Sequence, residues 1–224
     1  MKLVSKDHLI ELDTNDYAVH KIIIENKDYY RSFVHALYCQ NQGETGNFLL
    51  YEGTKELNFS KKFHIILQPL FVEISDRKSK NKISERLVDA IYSQEEEDKL
   101  TQLLADLNSI SSLFISKSDF RLSHNNSLSL KDIINLFDFK LDSVSGSFLE
   151  NLIEYIVGVK LLEGIDHFIL LNLEDYLTEG ECIQFYDAIR TEHIHIIDVE
   201  CRATKKLSYE RLIVIDNDLC LLEY

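Results

Sequence analysis

Six short segments of this chain carry strong β-strand signals, and several of them are almost continuously apolar and rich in β-branched residues. This pattern is typical of strands in a largely parallel sheet, because helices cover such a sheet on both faces and leave no side open to solvent. The predicted strands are His20–Glu25, Phe48–Tyr51, Phe63–Val72, His167–Leu173, Ile194–Val199 and Arg211–Ile215.

Helical patterns lie between these strands. Asn26 can cap a helix that runs to about Gln40, and Thr178 has the capping-box spacing to Glu181 at the start of another helix. Phe148–Leu162 is a further helix with an apolar face. Alternation of strands and helices at these lengths predicts an α/β layer.

The middle of the chain is different, because residues 76–138 carry almost no strand signal. Apolar residues recur there at helical spacing, and Ser129 can cap a further helix. The apolar positions are Ile83, Leu87, Val88, Ile91, Leu100, Leu103, Leu104 and Leu107. We therefore predict an α/β domain formed by residues 1–75 and 139–224, interrupted by an inserted α-helical lobe over residues 76–138.

The charge balance limits the classes of partner. The chain has 24 basic and 38 acidic residues and a net charge of −14, which argues against a protein that binds nucleic acid over its whole surface. Net charge does not report where charges lie, so basic residues that converge on one surface can still hold DNA.

Cysteine usage and hydropathy indicate a cytoplasmic protein. The four cysteines are widely separated and form no CxxC motif, which favours reduced thiols over disulfides or a zinc site. No segment approaches the roughly 20 apolar residues needed to span a membrane. The N-terminal segment contains acidic residues where a signal peptide needs an apolar run, so no export and no membrane association are expected.

The sequence offers no clear nucleotide-binding loop. The nearest candidate, Gly43-Glu44-Thr45-Gly46, is followed by Asn47 and lacks the lysine that a phosphate-binding loop needs. We interpret it as a surface turn and expect no bound nucleotide.

Two other polar groups are open to a functional or a structural interpretation. His193 and His195 would share a strand face, but two histidines without a nearby third ligand favour strand-rim histidines over a metal site. Asn172, Glu174 and Asp175 follow a predicted strand, where α/β proteins often place functional groups. Helix-entry turns are commonly this polar, which favours a structural role over a functional one, and no pattern predicts catalytic residues.

Basic residues cluster at three places, and these are the candidate DNA-binding residues. Contacts with phosphates need only charge and reach, so no base-reading motif is required. The alternative is a set of solvated loops. The candidates are Lys61 and Lys62; Arg77, Lys78, Lys80 and Lys82; and Arg202, Lys205 and Lys206.

The order of segments resembles the accessory protein of type II-A CRISPR spacer acquisition, a family that forms tetrameric rings around double-stranded DNA. The resemblance covers nearly the whole chain and is carried by KIIIENKDYYRSFVHALYCQ, FLLYEGTKELNFSKKFHIILQPLFVEIS, SLKDIINLFDFKLD, LIEYIVGVKLLEGIDHFILLNLEDYLTEGECIQFYDAI and ERLIVIDNDLCLLE. It implies a degenerate P-loop-ATPase-like sheet domain with an inserted helical lobe.

The resemblance also implies calcium as a cofactor, bound by an acidic cluster just before the helix that Ser129 begins. The matching segment, SDFRLSHNNSLSLKD, offers Asp119, Asn126 and Asp132 as ligands. Calcium sites depend heavily on carboxylates, and Arg121 and Ser123 occupy much of this neighbourhood. These residues favour a polar turn that caps the following helix over a calcium site.

The resemblance and the basic clusters together predict a non-catalytic, sequence-independent protein that binds double-stranded DNA as a homotetrameric ring. The implied partners are the CRISPR integrase complex and the RNA-guided effector nuclease. Two alternatives remain at this point: a metal- or nucleotide-dependent nuclease or ATPase-like enzyme, and an interaction scaffold that does not bind DNA.

Overall fold

The computed structural model of the chain describes residues 1–6, 10–14, 18–72, 77–90, 94–123, 128–137, 139, 146–202 and 210–223. The chain divides into two compact units, one formed by residues 1–73 and 143–224 and the other by residues 74–142. Both sheets lie in the first unit, and the elements described in the second unit are helices. The strands are β1 (Lys2–Ser5), β2 (Glu11–Asp13), β3 (Val19–Ile24), β4 (Phe48–Glu52), β5 (Lys55–Glu56), β6 (Phe63–Ile66), β7 (His167–Leu171), β8 (His195–Glu200), β9 (Glu210–Ile215) and β10 (Leu221–Glu223).

A six-stranded sheet in the order β10-β9-β3-β8-β7-β6 forms the centre of the first unit. Five strands are parallel, and β10 pairs with β9 as an antiparallel hairpin. Every residue of β3 and β7 is buried. Burial on both faces is the physical reason for the apolar pattern of these strands in the sequence.

Helices of the first unit flank this sheet on both faces. The described helices are α1 (Lys27–Asn41), α2 (Arg77–Asp89), α3 (Gln94–Ser116), α4 (Leu130–Leu136), α5 (Phe148–Glu163) and α6 (Glu179–Thr191). The predicted caps are confirmed: Asn26 accepts from two N–H groups of α1, and Ser129 and Thr178 form capping boxes. The fold is mixed α/β, with two sheets and six α-helices in the described parts of the chain. No helix within those parts is long and apolar enough to cross a bilayer.

The second sheet is antiparallel, in the order β2-β1-β4-β5. Its apolar side chains, including Leu3, Leu12 and Leu50, share one core with α1 and with the face of the large sheet that carries Ile22 and Ile197. The opposite face carries Asp198, whose carboxylate accepts from a side chain of α6. Only β4 of this smaller sheet was predicted from the sequence.

The predicted strand Phe63–Val72 is wrong in its second half. The strand ends at Ile66, and Pro69 begins a 3₁₀ turn, Pro69–Phe71. Proline fixes φ and has no N–H to donate to a neighbouring strand, so it stops the ladder. Phe71 is 75% exposed as a result.

The second unit contains α2, α3 and α4. Helices α2 and α4 pack against each other, and Ser84 Oγ lies 2.7 Å from Asn135 Oδ1 at this contact. Ser84, Ile133 and Ile134 are buried there. The helical periodicity seen in the sequence is therefore confirmed for the described residues of this segment.

Candidate functional site

A buried ionic cluster lies inside the large sheet. Lys21 of β3 and Asp198 of β8 are register partners, and both are fully buried. The Lys21 ammonium pairs with the Glu174 carboxylate in the 3₁₀ turn Leu173–Asp175 and lies 3.8 Å from Glu210 Oε1. A buried lysine needs such partners, because an unpaired charge in the interior is strongly destabilising.

The pKa values of two carboxyl groups in this cluster are raised, which shifts both groups towards the protonated form. Tyr186 Oη donates to Asp198 Oδ2 at 3.1 Å, and Glu200 Oε1 accepts from the backbone N–H of Glu174 at 3.0 Å. Burial and the neighbouring Glu200 carboxyl raise the pKa of Asp198 well above its ordinary range. Burial raises the pKa of Glu200 to about 7. Although burial opposes it, the nearby carboxylates raise the pKa of Lys21, so the ammonium stays charged.

The sequence interpretation missed Lys21, Asp198, Glu200 and Glu210. The available signal is a charged residue inside an apolar strand, as in the segments HKIIIE and IHIIDV. A charge in a strand that is buried on both faces must find a partner on the same face. The register between β3 and β8, which supplies that partner, cannot be read from either segment alone.

The polar residues predicted at the end of β7 serve this cluster and the adjoining turn. Asn172 adopts a left-handed conformation with φ 50° and ψ 47°. Its Oδ1 accepts from the backbone N–H of Cys201 at 3.2 Å, and its Nδ2 donates to Tyr30 Oη at 2.8 Å. These contacts join the turn after β7 to the end of β8 and to α1.

The turn between β3 and α1 is where a P-loop fold would hold phosphate. Here only Glu25 and Asn26 separate the two elements. Asn26 Oδ1 accepts from the backbone N–H groups of Asp28 and Tyr29 at 3.1 and 3.0 Å, and Asp28 adds a negative charge to the first turn. The chain's own side chain thus occupies the donors that an anion would use.

The predicted turn Gly43–Gly46 lies between α1 and β4, away from the β3–α1 connection. Gly43 has φ +90°, a conformation that glycine adopts without strain. Lys6 Nζ donates to the Gly46 carbonyl at 3.0 Å, which ties this loop to the β1 end of the small sheet.

The histidine pair predicted on one strand is separated by the structure. His193 lies in the turn before β8 with φ 52°, whereas His195 begins β8. The ring of His195 stacks on that of His167, with 4.6 Å between centroids. His167 Nε2 lies 3.0 Å from Thr14 Oγ1, and its Nδ1 lies 2.6 Å from the Asp166 carboxylate. These contacts give the imidazoles a packing role.

The predicted DNA-binding residues that the structure describes in the first unit lie at opposite ends of the parallel strands. Lys61 and Lys62 directly precede β6 at its amino end, and both side chains are exposed. Arg202 follows the carboxyl end of β8 and lies 3.5 Å from the Asp175 carboxylate, with 76% of its side chain exposed. Because β6 and β8 run in the same direction, these two groups do not meet within the unit. Lys205 and Lys206 lie outside the described residues.

The remaining predicted DNA-binding residues lie on α2 in the second unit. The backbone of Arg77 and Lys78 begins the helix, and their side chains lie outside the described part. Lys80 is half-buried and Lys82 is exposed. Glu85 Oε2 lies 3.5 Å from Lys82 Nζ, so a carboxylate of the same helix offsets part of this positive charge.

The predicted calcium ligands are not brought together as a site by the described residues. Asp119 is exposed in the bend after α3, and Asn126 lies outside the described part. Asp132 Oδ2 accepts from Ser129 N and Oγ at 2.8 and 2.7 Å, and these bonds lower the pKa of Asp132. Within the described ranges, no group of three or more His, Cys, Asp or Glu residues is arranged to hold a metal ion.

Comparison with known proteins identifies the family. An ATP-bound bacterial Atm1-family ABC exporter is similar in structure, with a TM-score of 0.44 and 12% identity. That similarity covers 93% of this chain and 33% of the exporter, so the chain spans about a third of the exporter's length. Comparison with curated protein sequences gave no match. The sequence profile described as "CRISPR-associated protein (Cas_Csn2)" matches residues 40–219. Since this match covers most of the 224 residues, the chain belongs to the Csn2 family of CRISPR-associated proteins.

Proposed function

We propose that this CRISPR-associated protein binds double-stranded DNA through phosphate contacts, without sequence preference and without catalysis, as a homotetrameric ring that assists spacer acquisition. Its partners in that role are the CRISPR integrase complex and the RNA-guided effector nuclease. The site of action is the cytoplasm, and neither a nucleotide nor a resident calcium ion is required by this proposal.

The observation that supports a non-catalytic role is the turn between β3 and α1, where a side chain of the protein itself caps the helix N-terminus. A degenerate P-loop-ATPase-like sheet keeps parallel strands and flanking helices but loses the phosphate cradle. Asn26 fills the helix N-terminus that would otherwise accept an anion. Turnover assays with nucleotides and divalent metals test the enzymatic alternative, and sustained hydrolysis of ATP or DNA by the purified chain would contradict the proposal.

Basic residues of α2 support the DNA contact. Residues 77–82 contain four bases and no acid, in a chain whose acidic residues outnumber its basic ones. Lys82 is exposed despite its neighbour Glu85. Phosphate oxygens compete well for such a lysine, because ion pairs between exposed side chains are weak.

The test is duplex binding as a function of salt. For wild-type protein, log affinity should fall with log salt with a slope of roughly −0.9 per neutralised phosphate, and blunt duplexes of unrelated sequence should bind equally. The variant R77E/K78E/K80E/K82E should bind more weakly and with a flatter slope, while circular dichroism stays native.

A matched pair of variants controls for net charge. K80E/K82E changes α2, and K99E/K117E makes the same charge change in and just after α3. Only the α2 variant should weaken duplex binding. Equal losses in both would show a general charge effect, and an unchanged quadruple variant would eliminate α2 and direct attention to Arg202, Lys205 and Lys206.

An exposed apolar stripe on α3 supports self-association. Leu100, Leu103, Leu107, Ile110 and Phe114 follow the alternating three- and four-residue spacing of a coiled-coil seam. Leu103, Ile110 and Phe114 are 42%, 49% and 68% exposed. Exposed apolar area of this kind is stabilised when a second surface covers it.

Light scattering at low micromolar concentration should give four times the 26.1 kDa protomer mass. The variant I110E/F114E places charge on the stripe and should shift the protein to smaller species. Ser109→Glu on the same helix, at an exposed position outside the stripe, should leave the assembly intact. A wild-type protein that is strictly monomeric would contradict the ring.

A further inference from the structure

A groove lies between α2 and α4 in the second unit, with a volume of about 440 Å³. Val88 and Leu130 line it with half-buried apolar side chains, and Glu85 and Asp89 add two exposed carboxylates. Lys131 also lines the groove and pairs with Glu85, with 3.2 Å between Nζ and Oε1. The lining therefore combines an apolar surface with one excess negative charge.

The short segment that follows α3 has the complementary character. Phe120 and Leu122 are 78% and 52% exposed, and Arg121 lies exposed between them. The Phe120 N–H donates to Ser118 Oγ at 3.1 Å, which fixes the turn through which the chain leaves the helix. Residues 117–122 include two bases and one acid, so this segment carries one excess positive charge. Apolar side chains exposed to this extent are stabilised when a second surface covers them.

We propose that the groove receives residues 120–122 of a second copy of this chain. An apolar side chain of the segment packs against Val88 and Leu130. The Arg121 guanidinium pairs with the Asp89 carboxylate, a geometry that allows two parallel hydrogen bonds. Since every copy has both a groove and a segment, a two-fold axis forms the contact twice. The proposal rests on the self-association in the proposed function and names one of its contacts.

Charge and exposure together identify this occupant. The acidic first turn of α3 and the phosphates of DNA would both be repelled by the excess negative charge of the groove. Phe120 is exposed in its own chain, so the segment is available to a second copy. The segment also lies just beyond Phe114, at the end of the exposed apolar stripe on α3. A contact at the groove therefore extends the surface already proposed for self-association.

Charge reversal on the two sides of the contact tests the pairing. D89R and R121E should each raise the apparent dissociation constant of the assembly roughly tenfold, seen by light scattering as smaller species on dilution, because each places like charges together. The double variant D89R/R121E should regain the wild-type mass, since the reversed pair attracts again. Mixing the two single variants should also restore assembly, because each mixed pair makes one original and one reversed contact.

Asp98→Arg is the matched control, because it makes the same charge change at an exposed position of α3 in the same unit. It should leave the mass unchanged. Both reversed residues are exposed, and position 89 ends α2, where a basic residue suits the helix dipole. Circular dichroism should therefore stay native. Single variants that keep the wild-type mass, or a double variant that dissociates as readily as they do, would overturn the proposal.

A peptide of residues 117–123 tests the groove separately from the ring. Added to R121E, whose own segment cannot fill the groove, it should shift the backbone NMR signals of Val88 and Lys131 in a saturable way. The same peptide with Arg121→Glu should bind several-fold more weakly. A monomeric wild type would contradict the ring of the proposed function, whereas the peptide would still decide whether the groove fits this segment. Absence of shifts at the groove, or equal binding of both peptides, would overturn the inference.

Discussion

The two units of this protein place similar apolar side chains in opposite environments. In the first unit, Phe168 and Phe185 are fully buried in the core of the large sheet. In the second, Phe114 and Phe137 are more than two thirds exposed, and within its described residues only Ser84, Ile133 and Ile134 are buried. The first unit therefore draws its stability from contacts within the chain, whereas the second presents apolar surface that a partner can cover.

The difference follows from the secondary structure of each unit. A parallel sheet needs helices on both faces, and this requirement encloses the strands completely. In the described part of the second unit, α2 and α4 pack against each other, whereas the 23-residue helix α3 leaves large apolar side chains such as Ile110 and Phe114 exposed. Mutations should therefore affect folding most strongly in the first unit.

The largest effect should come from truncating a core side chain of the first unit. Phe185→Ala removes a fully buried ring from α6 and should reduce the free energy of unfolding by about 3–5 kcal/mol. Phe114→Ala removes the same atoms from an exposed position on α3. Urea denaturation, followed by a spectroscopic signal of the β-sheet, measures the free energy of unfolding of both variants. Equal losses would contradict the contrast between the units.

The next effect concerns two buried histidines of the first unit. Burial lowers the pKa of His20 and of His167 to about 4. Between that value and the unfolded value of about 6.5, the unfolded chain binds protons that the folded chain does not. Stability from these groups is therefore fully present above pH 6.5 and is lost as pH falls towards 4, by about 3 kcal/mol for each histidine.

The pH dependence of chemical denaturation measures this loss. His20→Asn should reduce the slope of the free energy of unfolding against pH by the contribution of one histidine. His193→Gln, which changes an exposed histidine in a turn, serves as the control and should leave the slope unchanged. A His20→Asn profile that matches the wild type would contradict the assignment. Glu200 changes stability in the opposite direction over part of this range, so the comparison between variants is more informative than the wild-type curve.

The sequence predicted most of the large sheet, because burial on both faces leaves a strong apolar pattern in each strand. It also predicted the caps at Asn26, Ser129 and Thr178, whose partners lie within three residues. It missed β1 and β2, which have four and three residues; they pair with each other, and β1 also pairs with the distant strand β4. Strands of that length carry too little periodicity to identify.

The candidate site was harder to predict for the same reason. Asn172 and Glu174 were singled out because they follow a strand, but their partners Tyr30, Lys21 and Cys201 are distant in sequence. Which charged residue faces which depends on strand register, and a shift of one residue would place Lys21 on the other face. Local patterns locate the end of a strand, whereas the ionic cluster depends on three strands, β3, β8 and β9, and a turn together.

The smallest effect should come from the contact between α2 and α4 in the second unit. Ser84 is buried, and its Oγ lies 2.7 Å from Asn135 Oδ1 and 3.0 Å from the Lys80 carbonyl. Ser84→Ala removes the hydroxyl that serves these acceptors, but Asn135 is exposed and water can replace the lost donor. We expect a loss of about 1 kcal/mol in local stability, seen as faster amide exchange in α2 and α4.

Ser112→Ala on the exposed part of α3 is the control. It removes a hydroxyl that donates within its own helix, to the Asn108 carbonyl, and should leave the amides of α2 and α4 unchanged. A Ser84→Ala loss as large as that of Phe185→Ala would show that the second unit has a tightly packed core of its own, and it would contradict the contrast between the two units.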